Sequence, residues 1–278
     1  MVQNKIQVSF QGEIGAYSEE AAFKFFTDKI KTFPCKTLAD VFKTVEEKRV
    51  KYGIVPVENS IEGSILQTYD LLLQSNLKIC GEIVLRVAHC LISNEKGINS
   101  VKEVYSHPQA LAQCSKFLEK LKCIVTATYD TAGSVKMIKE RNLKNAAAIA
   151  SERAATIYGM NILARHIETD PNNYTRFLII FSRDSKEMGD DKTSIIFSTK
   201  DIPRALFKAL EPFAQRNINL TKIESRPIVG KPWEYNFYLD FEGHRREERI
   251  RKALEELKMN STFLKILGSY PKAKENVV

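Results

Sequence analysis

In the stretch NNYTRFLII (172–180) a polar turn runs into a strand, and Thr175 and Arg176 stand side by side at its mouth. A hydroxyl there can donate to a departing oxygen, and a guanidinium can bind an anion. Both are equally ordinary residues at the start of a strand. Three other places share one design, in which a strand ends and small or polar residues precede a helix. They are Glu58-Asn59-Ser60-Ile61-Glu62-Gly63-Ser64, Ser106-His107-Pro108-Gln109-Ala110 and Asp130-Thr131-Ala132-Gly133-Ser134. Free backbone N–H groups and the helix dipole favour anions at such points. In open α/β sheets, ligands sit beyond the carboxyl ends of strands. Helix caps need the same residue types, so each junction alone also reads as a plain helix start. Together they describe a pocket for a polar, anionic small molecule.

The chain contains no phosphate loop, no GxGxxG fingerprint and no clustered metal-ligand spacing. A reaction without metal or cofactor is expected, carried by hydroxyls, amides and arginine as electrostatic donors. The five cysteines are odd in number and form no C-x-x-C pair. They read as reduced thiols in a cytoplasmic protein. The N-terminal MVQNKIQVSF lacks a secretory pattern, and no apolar run is long enough to span a membrane. The net charge of +8 comes from 42 basic and 34 acidic residues. Much of the excess lies in residues 245–278, which hold nine Lys/Arg and five Asp/Glu; within them RREERIRKALEELK alternates sign at helical spacing, as on a solvated helix face rather than a nucleic-acid surface.

The elements that must position these groups follow a βαβα rhythm. KIQVSF (5–10) reads as a strand and SEEAAFKFF (18–26) as a helix with an N-cap serine; TLADVFKTVEE (37–47) is a second helix and YGIVPVEN (52–59) a strand. A long β-rich stretch at 77–93 precedes strands at 102–107, 123–128, 145–151 and 175–183, with helices between them. The charged DSKEMGDDK (184–192) has no apolar period and reads as a linker. Strand, helix, strand, strand, helix and strand follow, which is the ferredoxin-like order. Along a regular strand Thr175 and Phe177 share one face and Arg176 takes the other. Arg176 then either binds a carboxylate where pairing has not yet begun or holds an internal acidic partner.

The chain resembles the prephenate dehydratases through GEIGAYSEEA (12–21), VPVENSIEGSI (55–65), SHPQALAQC (106–114), AAIAS (147–151), NNYTRF (172–177) and KIESRP (222–227). The resemblance covers nearly the whole chain. It implies a two-lobed, periplasmic-binding-protein-like α/β catalytic region over 1–183 and a ferredoxin-like βαββαβ ACT regulatory domain over 193–278. Nothing similar to a chorismate mutase precedes Met1, so a monofunctional enzyme is expected. The implied reaction is loss of CO2 and water from prephenate, giving phenylpyruvate, with Thr175 as donor to the departing hydroxyl. His107 and Glu62 are its rivals as acid. Substrate contacts are implied for Asn59, Ser60, Glu62, Gly63, His107, Gln109, Thr131, Ser151, Arg176 and Phe177. L-Phenylalanine is the implied effector, near Ala205, Leu206, Asn217, Asn219, Leu220, Glu224, Ser225, Arg226 and Pro227, in a homodimer or homotetramer. The effector loop departs from the family pattern, because Arg204 follows Pro203 where glycine is common. The alternatives are arogenate dehydratase, a non-enzymatic small-anion binding protein, and a regulator with an ACT sensor, for which no DNA-reading helix-turn-helix is found.

Overall fold

The computed structural model describes residues 5–27 and 29–274. In chain order the elements are β1 (Ile6–Gln11), α1 (Tyr17–Phe26), β2 (Ile30–Cys35), α2 (Leu38–Glu46), β3 (Tyr52–Asn59), β4 (Gly63–Ser64), α3 (Leu66–Gln74), β5 (Lys78–Arg86) and β6 (Cys90–Ser93). They continue with β7 (Glu103–Ser106), α4 (Pro108–Gln113), α5 (Ser115–Leu121), β8 (Ile124–Ala127), α6 (Thr131–Glu140), β9 (Ala146–Ala150), α7 (Glu152–Tyr158), β10 (Asn161–Arg165) and β11 (Tyr174–Phe181). The last six are β12 (Asp191–Ser198), α8 (Ala205–Ala214), β13 (Leu220–Pro227), β14 (Tyr235–Glu242), α9 (Glu248–Met259) and β15 (Phe263–Pro271). None of the described helices is long and apolar enough to cross a membrane.

Three sheets organise these elements. The first runs β2-β1-β3-β11-β5, with β4 hairpinned onto β3; the second runs β10-β6-β9-β7-β8. In the first, β1 is parallel to both β2 and β3. In the second, β9 lies between β6 and β7 and every one of its residues, AAAIA, is buried. A strand covered on both faces reads as a continuous apolar run, which is why this segment was legible. The third sheet, β13-β14-β12-β15, is antiparallel throughout and encloses a core of Ile195, Phe197, Phe213, Phe241, Ile250 and Leu257. Its connectivity is the ferredoxin-like βαββαβ order expected from the sequence.

Local chemistry explains most element ends. Thr37 and Asp40 form a reciprocal capping box at the start of α2. At α1 the expected Ser18 cap gives way to Ala16. The preceding turn is held instead by the buried Glu19 carboxylate, which accepts from Gly15 N at 2.8 Å and from Thr32 Oγ1 at 2.8 Å. Gly15 has φ +97°, and a side chain there would meet the Ala154 backbone at 2.9 Å. Three short strands escaped the sequence reading. Of these, β2 carries Pro34 and is a sheet edge, where the pattern is weakest, β10 is the edge of the second sheet, and β4 has only two residues. The single helix expected after Ser106 breaks at Cys114 into α4 and α5.

The chain divides into two compact units, residues 1–65 with 84–177 and residues 66–83 with 178–278. Residues 66–83 therefore group by compactness with the third sheet rather than with the rest of the 1–183 region, although β5 pairs with β11 in the first sheet. Named contacts account for this. Arg226 Nη2 reaches both carboxylate oxygens of Asp70 at 3.1 and 2.8 Å, and Tyr238 Oη donates to Tyr69 O at 2.9 Å. Lys265 Nζ caps the end of α3, donating to Leu72 O, Leu73 O and Ser75 O at 3.1, 2.6 and 2.6 Å. The expected linker 184–192 also ends early. β12 begins at Asp191, and Lys192 Nζ pairs with buried Glu82 at 2.8 Å.

Candidate active site

In the first unit a cavity of about 100 Å³ is lined by Tyr17, Asn59, Val87, His89, His107, Gln109, Ala110, Gln113, Thr131 and Thr175. Strand ends and helix starts from both of this unit's sheets supply them. Asn59 ends β3, Thr175 is second in β11, Tyr17 opens α1, His107 caps α4 and Thr131 opens α6. Five residues singled out in the sequence therefore meet here: Asn59, His107, Gln109, Thr131 and Thr175.

Asn59 is the hub. Its Oδ1 accepts from Ile61 N and Glu62 N, both at 3.0 Å. Two backbone donors on one oxygen fix the amide, so Nδ2 must face the other way. That nitrogen donates to Thr175 Oγ1 at 3.0 Å, to Asn173 Oδ1 at 2.8 Å and to Tyr174 O at 3.1 Å. Thr175 accepts from Asn59 and so keeps its own hydroxyl proton for donation. Asn173, fully buried, passes the same polarity on, its Nδ2 donating to Gln113 Oε1 at 2.9 Å.

The alternation along β11 holds. Thr175 and Phe177 are buried on one face. Arg176 lies on the other, with Nη1 3.9 Å from Glu58 Oε2, and does not line the cavity. The expected use of Arg176 as a substrate-binding cation gives way to an internal acidic partner. Phe177 packs in the core at 2% exposure, away from the cavity lining.

The junction at 58–64 is a hairpin rather than a helix start: Asn59 pairs with Gly63 and Glu58 with Ser64. Glu62 and Gly63 are exposed at its tip and outside the lining, so Glu62 is not placed as an acid. Ser60 staples this hairpin to the turn before β11. Its Oγ donates to Asn172 O at 2.8 Å and accepts from Tyr174 N at 2.9 Å. Ser151 is likewise occupied, capping Ala154 N at 3.1 Å and donating to Gly15 O at 2.6 Å.

Five lining residues were not among the expected substrate contacts: Tyr17, Val87, His89, Gln113 and Ala110, the last named only as part of its junction. Gln109 and Gln113 lie one helical turn apart on α4, a spacing that signals a shared face. His89 carried no such signal. It is 2% exposed, with Nε2 2.9 Å from Gln113 Oε1 and Nδ1 2.8 Å from Tyr17 Oη. Burial pushes its pKa below the usual histidine value, against smaller opposing effects from Gln113 and Glu168. Burial also holds the Tyr17 phenol well above its ordinary value. The Cys114 thiol is pushed up to about 12 by burial, which removes it as a nucleophile.

His107 Nδ1 accepts from Gln109 N at 3.3 Å, so this histidine is both helix cap and cavity wall. Asp130 caps Gly133 N at 2.6 Å, and burial raises its pKa. None of the lining side chains is acidic, and none is Arg or Lys. Anion recognition here falls to hydroxyl, amide and imidazole donors.

In the second unit the residues expected near an effector fall at opposite ends of α8. Ala205 opens this helix and Asn217 follows its end, roughly 15 Å away by helical rise. Ala205 N already donates to Ile202 O at 3.2 Å, and Asn219 O accepts from Glu242 N at 3.0 Å. Leu206 and Leu220 pack on the core. Glu224, Ser225, Arg226 and Pro227 lie on edge strand β13, where Glu224 is 3.7 Å from Lys222 and Arg226 holds Asp70. A cavity of about 590 Å³ opens beside the β13–β14 hairpin and is bordered by Ser198, Lys200, Asp201, Lys231, Glu234 and Asn236 among others.

Comparison with known proteins identifies the family. Residues 8–185 match the prephenate dehydratase family and residues 193–258 the ACT domain. A bifunctional chorismate mutase/prephenate dehydratase of Aquifex aeolicus is 49% identical over 276 residues, spanning 98% of this chain and 75% of that one. The Arabidopsis thaliana protein named arogenate dehydratase/prephenate dehydratase 2, chloroplastic, is 46% identical, spanning 96% and 73%. The crystal structure of prephenate dehydratase from Arthrobacter aurescens in complex with L-Phe superposes with a TM-score of 0.88 at 29% identity, covering 96% of this chain and 90% of that one. The chain therefore belongs to the prephenate dehydratase family, its dehydratase region followed by an ACT domain.

Proposed function

We propose that this chain is a lyase that converts prephenate to phenylpyruvate, with Thr175 as the donor to the departing ring hydroxyl. One observation carries the reading. Thr175 Oγ1 accepts from an amide whose orientation is fixed by two backbone N–H groups, so its own proton is free to point into the cavity. As CO2 leaves the ring and the C–O bond breaks, negative charge grows on the hydroxyl oxygen. A donor placed there strengthens as that charge develops. Aromatisation of the ring supplies the driving force. The assay is ultraviolet absorbance of phenylpyruvate after incubation with prephenate. Absence of product at any enzyme concentration would overturn the reading in favour of a small-anion binding protein.

Arogenate is a second substrate candidate, because one relative carries both names. It differs from prephenate by an amine in place of the keto group, so the chemistry at Thr175 is the same. The lining lacks an acidic side chain to meet an ammonium, which favours prephenate. The ratio of kcat/KM for the two substrates decides between them.

The functional division follows the family: residues 1–183 catalytic and 193–278 regulatory, acting in the cytoplasm as a homodimer or homotetramer. L-Phenylalanine is the effector. Because Ala205 and Asn217 lie at opposite ends of α8, one protomer cannot bring both to one ligand, whereas two copies related by a two-fold axis can. Calorimetry with phenylalanine alongside rate measurements tests this. No binding heat and no change in rate would leave the ACT domain as a scaffold.

A further inference from the structure

We propose that His89, held by Tyr17, is a positioning residue of the reaction: its Nε2–H locks the Gln113 carboxamide so that both Gln113 amide N–H bonds face the cavity and hold a substrate carboxylate. The inference rests on the dehydratase reading only for the identity of the ligand. The polarity itself follows from the hydrogen-bond pattern.

That pattern begins at two backbone N–H groups whose direction cannot reverse, those of Ile61 and Glu62 on Asn59 Oδ1. Asn59 must then present Nδ2 to Asn173, and Asn173 must answer with Oδ1. Asn173 consequently turns its own Nδ2 toward Gln113, where only an oxygen can accept. The same Gln113 Oε1 lies 2.9 Å from His89 Nε2, so that nitrogen carries a proton. In a neutral imidazole the other nitrogen is then an acceptor; Tyr17 Oη stands 2.8 Å from Nδ1 with its ring edge-on at 82° and 2.9 Å from Ala88 O, so its single proton reaches Nδ1 only at the expense of the Ala88 carbonyl, and the Nε2–H is set by the amide chain rather than by Tyr17. Two donors on one glutamine oxygen leave Nε2 as the group that Gln113 turns to the cavity it lines.

Without the imidazole, Gln113 keeps one donor, Asn173, and its amide can turn its oxygen toward an anionic ligand. His89 therefore acts through Gln113 rather than on the reacting atoms. A carboxylate is held alike in ground and transition states, so its loss should appear in KM rather than in kcat.

The test has three parts. His89→Leu should raise KM for prephenate about tenfold or more, with kcat within about threefold. His89→Gln restores a side-chain N–H at the same reach and should return KM to within about threefold of wild type. A KM unchanged in His89→Leu, or equal losses in both variants, would overturn the proposal. Because a buried leucine variant can fail to fold, the wild-type protein supplies an independent reading. ¹⁵N-resolved NMR of the His89 ring should show a protonated Nε2 near pH 7, and a neutral ring with its proton on Nδ1 would refute the lock. The NMR result stands even if prephenate is not turned over, so failure of the functional reading and failure of the lock are distinguishable.

Discussion

At the scale of single residues, the side chains around Thr175 divide by what their polar atoms are already doing. Thr175 accepts from Asn59 and has a proton to give, whereas Arg176 is 12% exposed and turned to Glu58. Thr175→Ala should fold as wild type and lose roughly 10²–10³ in kcat, and Thr175→Ser should recover most of it. Steady-state kinetics with circular dichroism as a folding control checks both. A second expectation concerns acid stability. His89 faces Tyr17, Gln113 and the Glu168 carboxylate, which accepts from His89 N at 2.9 Å, and burial depresses its pKa. The folded protein therefore binds fewer protons at this site than the unfolded chain. The stabilisation is complete above the ordinary histidine range and is lost as pH falls through the depressed folded value. Thermal melts between pH 7.5 and 5 should show a steeper fall in Tm for wild type than for His89→Gln. Thr175 was legible through the family resemblance carried by NNYTRF, because a hydroxyl at a strand mouth is otherwise ordinary for its place. His89 was not, because a lone histidine in an apolar stretch looks the same whether or not it touches a cavity.

At the scale of elements, legibility followed periodicity. Strands buried on both faces, such as β9 and β12, and helices with clear caps, such as α2, stood out. Short edge strands did not, nor did the break between α4 and α5 at Cys114. In sequence the hairpin at 58–64 reads as a helix start because Asn and Ser serve both turns and caps, and only the pairing of Asn59 with Gly63 separates the two. Arg204 is an element-scale departure with a measurable cost. It precedes α8 in the left-handed region, at φ 69°, with no side-chain cap bond. A non-glycine residue there costs about 1–2 kcal/mol, and glycine's greater loss of freedom on folding offsets about 0.5–1 kcal/mol. Arg204→Gly should therefore stabilise the protein by about 0.5–1 kcal/mol, raising Tm by roughly 1–3 °C. Differential scanning calorimetry of the pair checks the sign. A fall in Tm would mean that the arginine side chain contributes more than its backbone costs.

At the scale of the whole molecule, the first unit is tied shut around its cavity. Glu13 accepts from Tyr129 Oη at 3.1 Å and from Lys136 Nζ at 3.0 Å, and Arg153 Nε lies 3.2 Å from buried Glu19. Tyr158 Oη adds a bond to Ile14 O at 3.0 Å. These contacts join α1 and the turn before it to α7, α6 and the turn before α6, whose strands belong to the other sheet. The cavity, at about 100 Å³, is well under the roughly 300 Å³ at which small-molecule pockets begin. A substrate of that size requires the cavity to widen, and loosening of these contacts is the expected route. Glu13→Ala removes the shared acceptor of a half-exposed pair worth roughly 0.2–1 kcal/mol. It should speed release by less than about fivefold and weaken the dependence of kcat on added viscogen. A wild-type kcat indifferent to viscogen would count against closure as the slow step. The amide chain of the site carries one more implication. Amides do not ionise at neutral pH, so the line from the Ile61 and Glu62 N–H groups through Asn59 and Asn173 to Gln113 aligns dipoles but conducts no protons. Thr175 is backed by an insulator. Any proton it yields to departing water must return from the cavity side, through solvent admitted with the next substrate or through His107. Each opening of the lobes thus exchanges ligands and also recharges the acid.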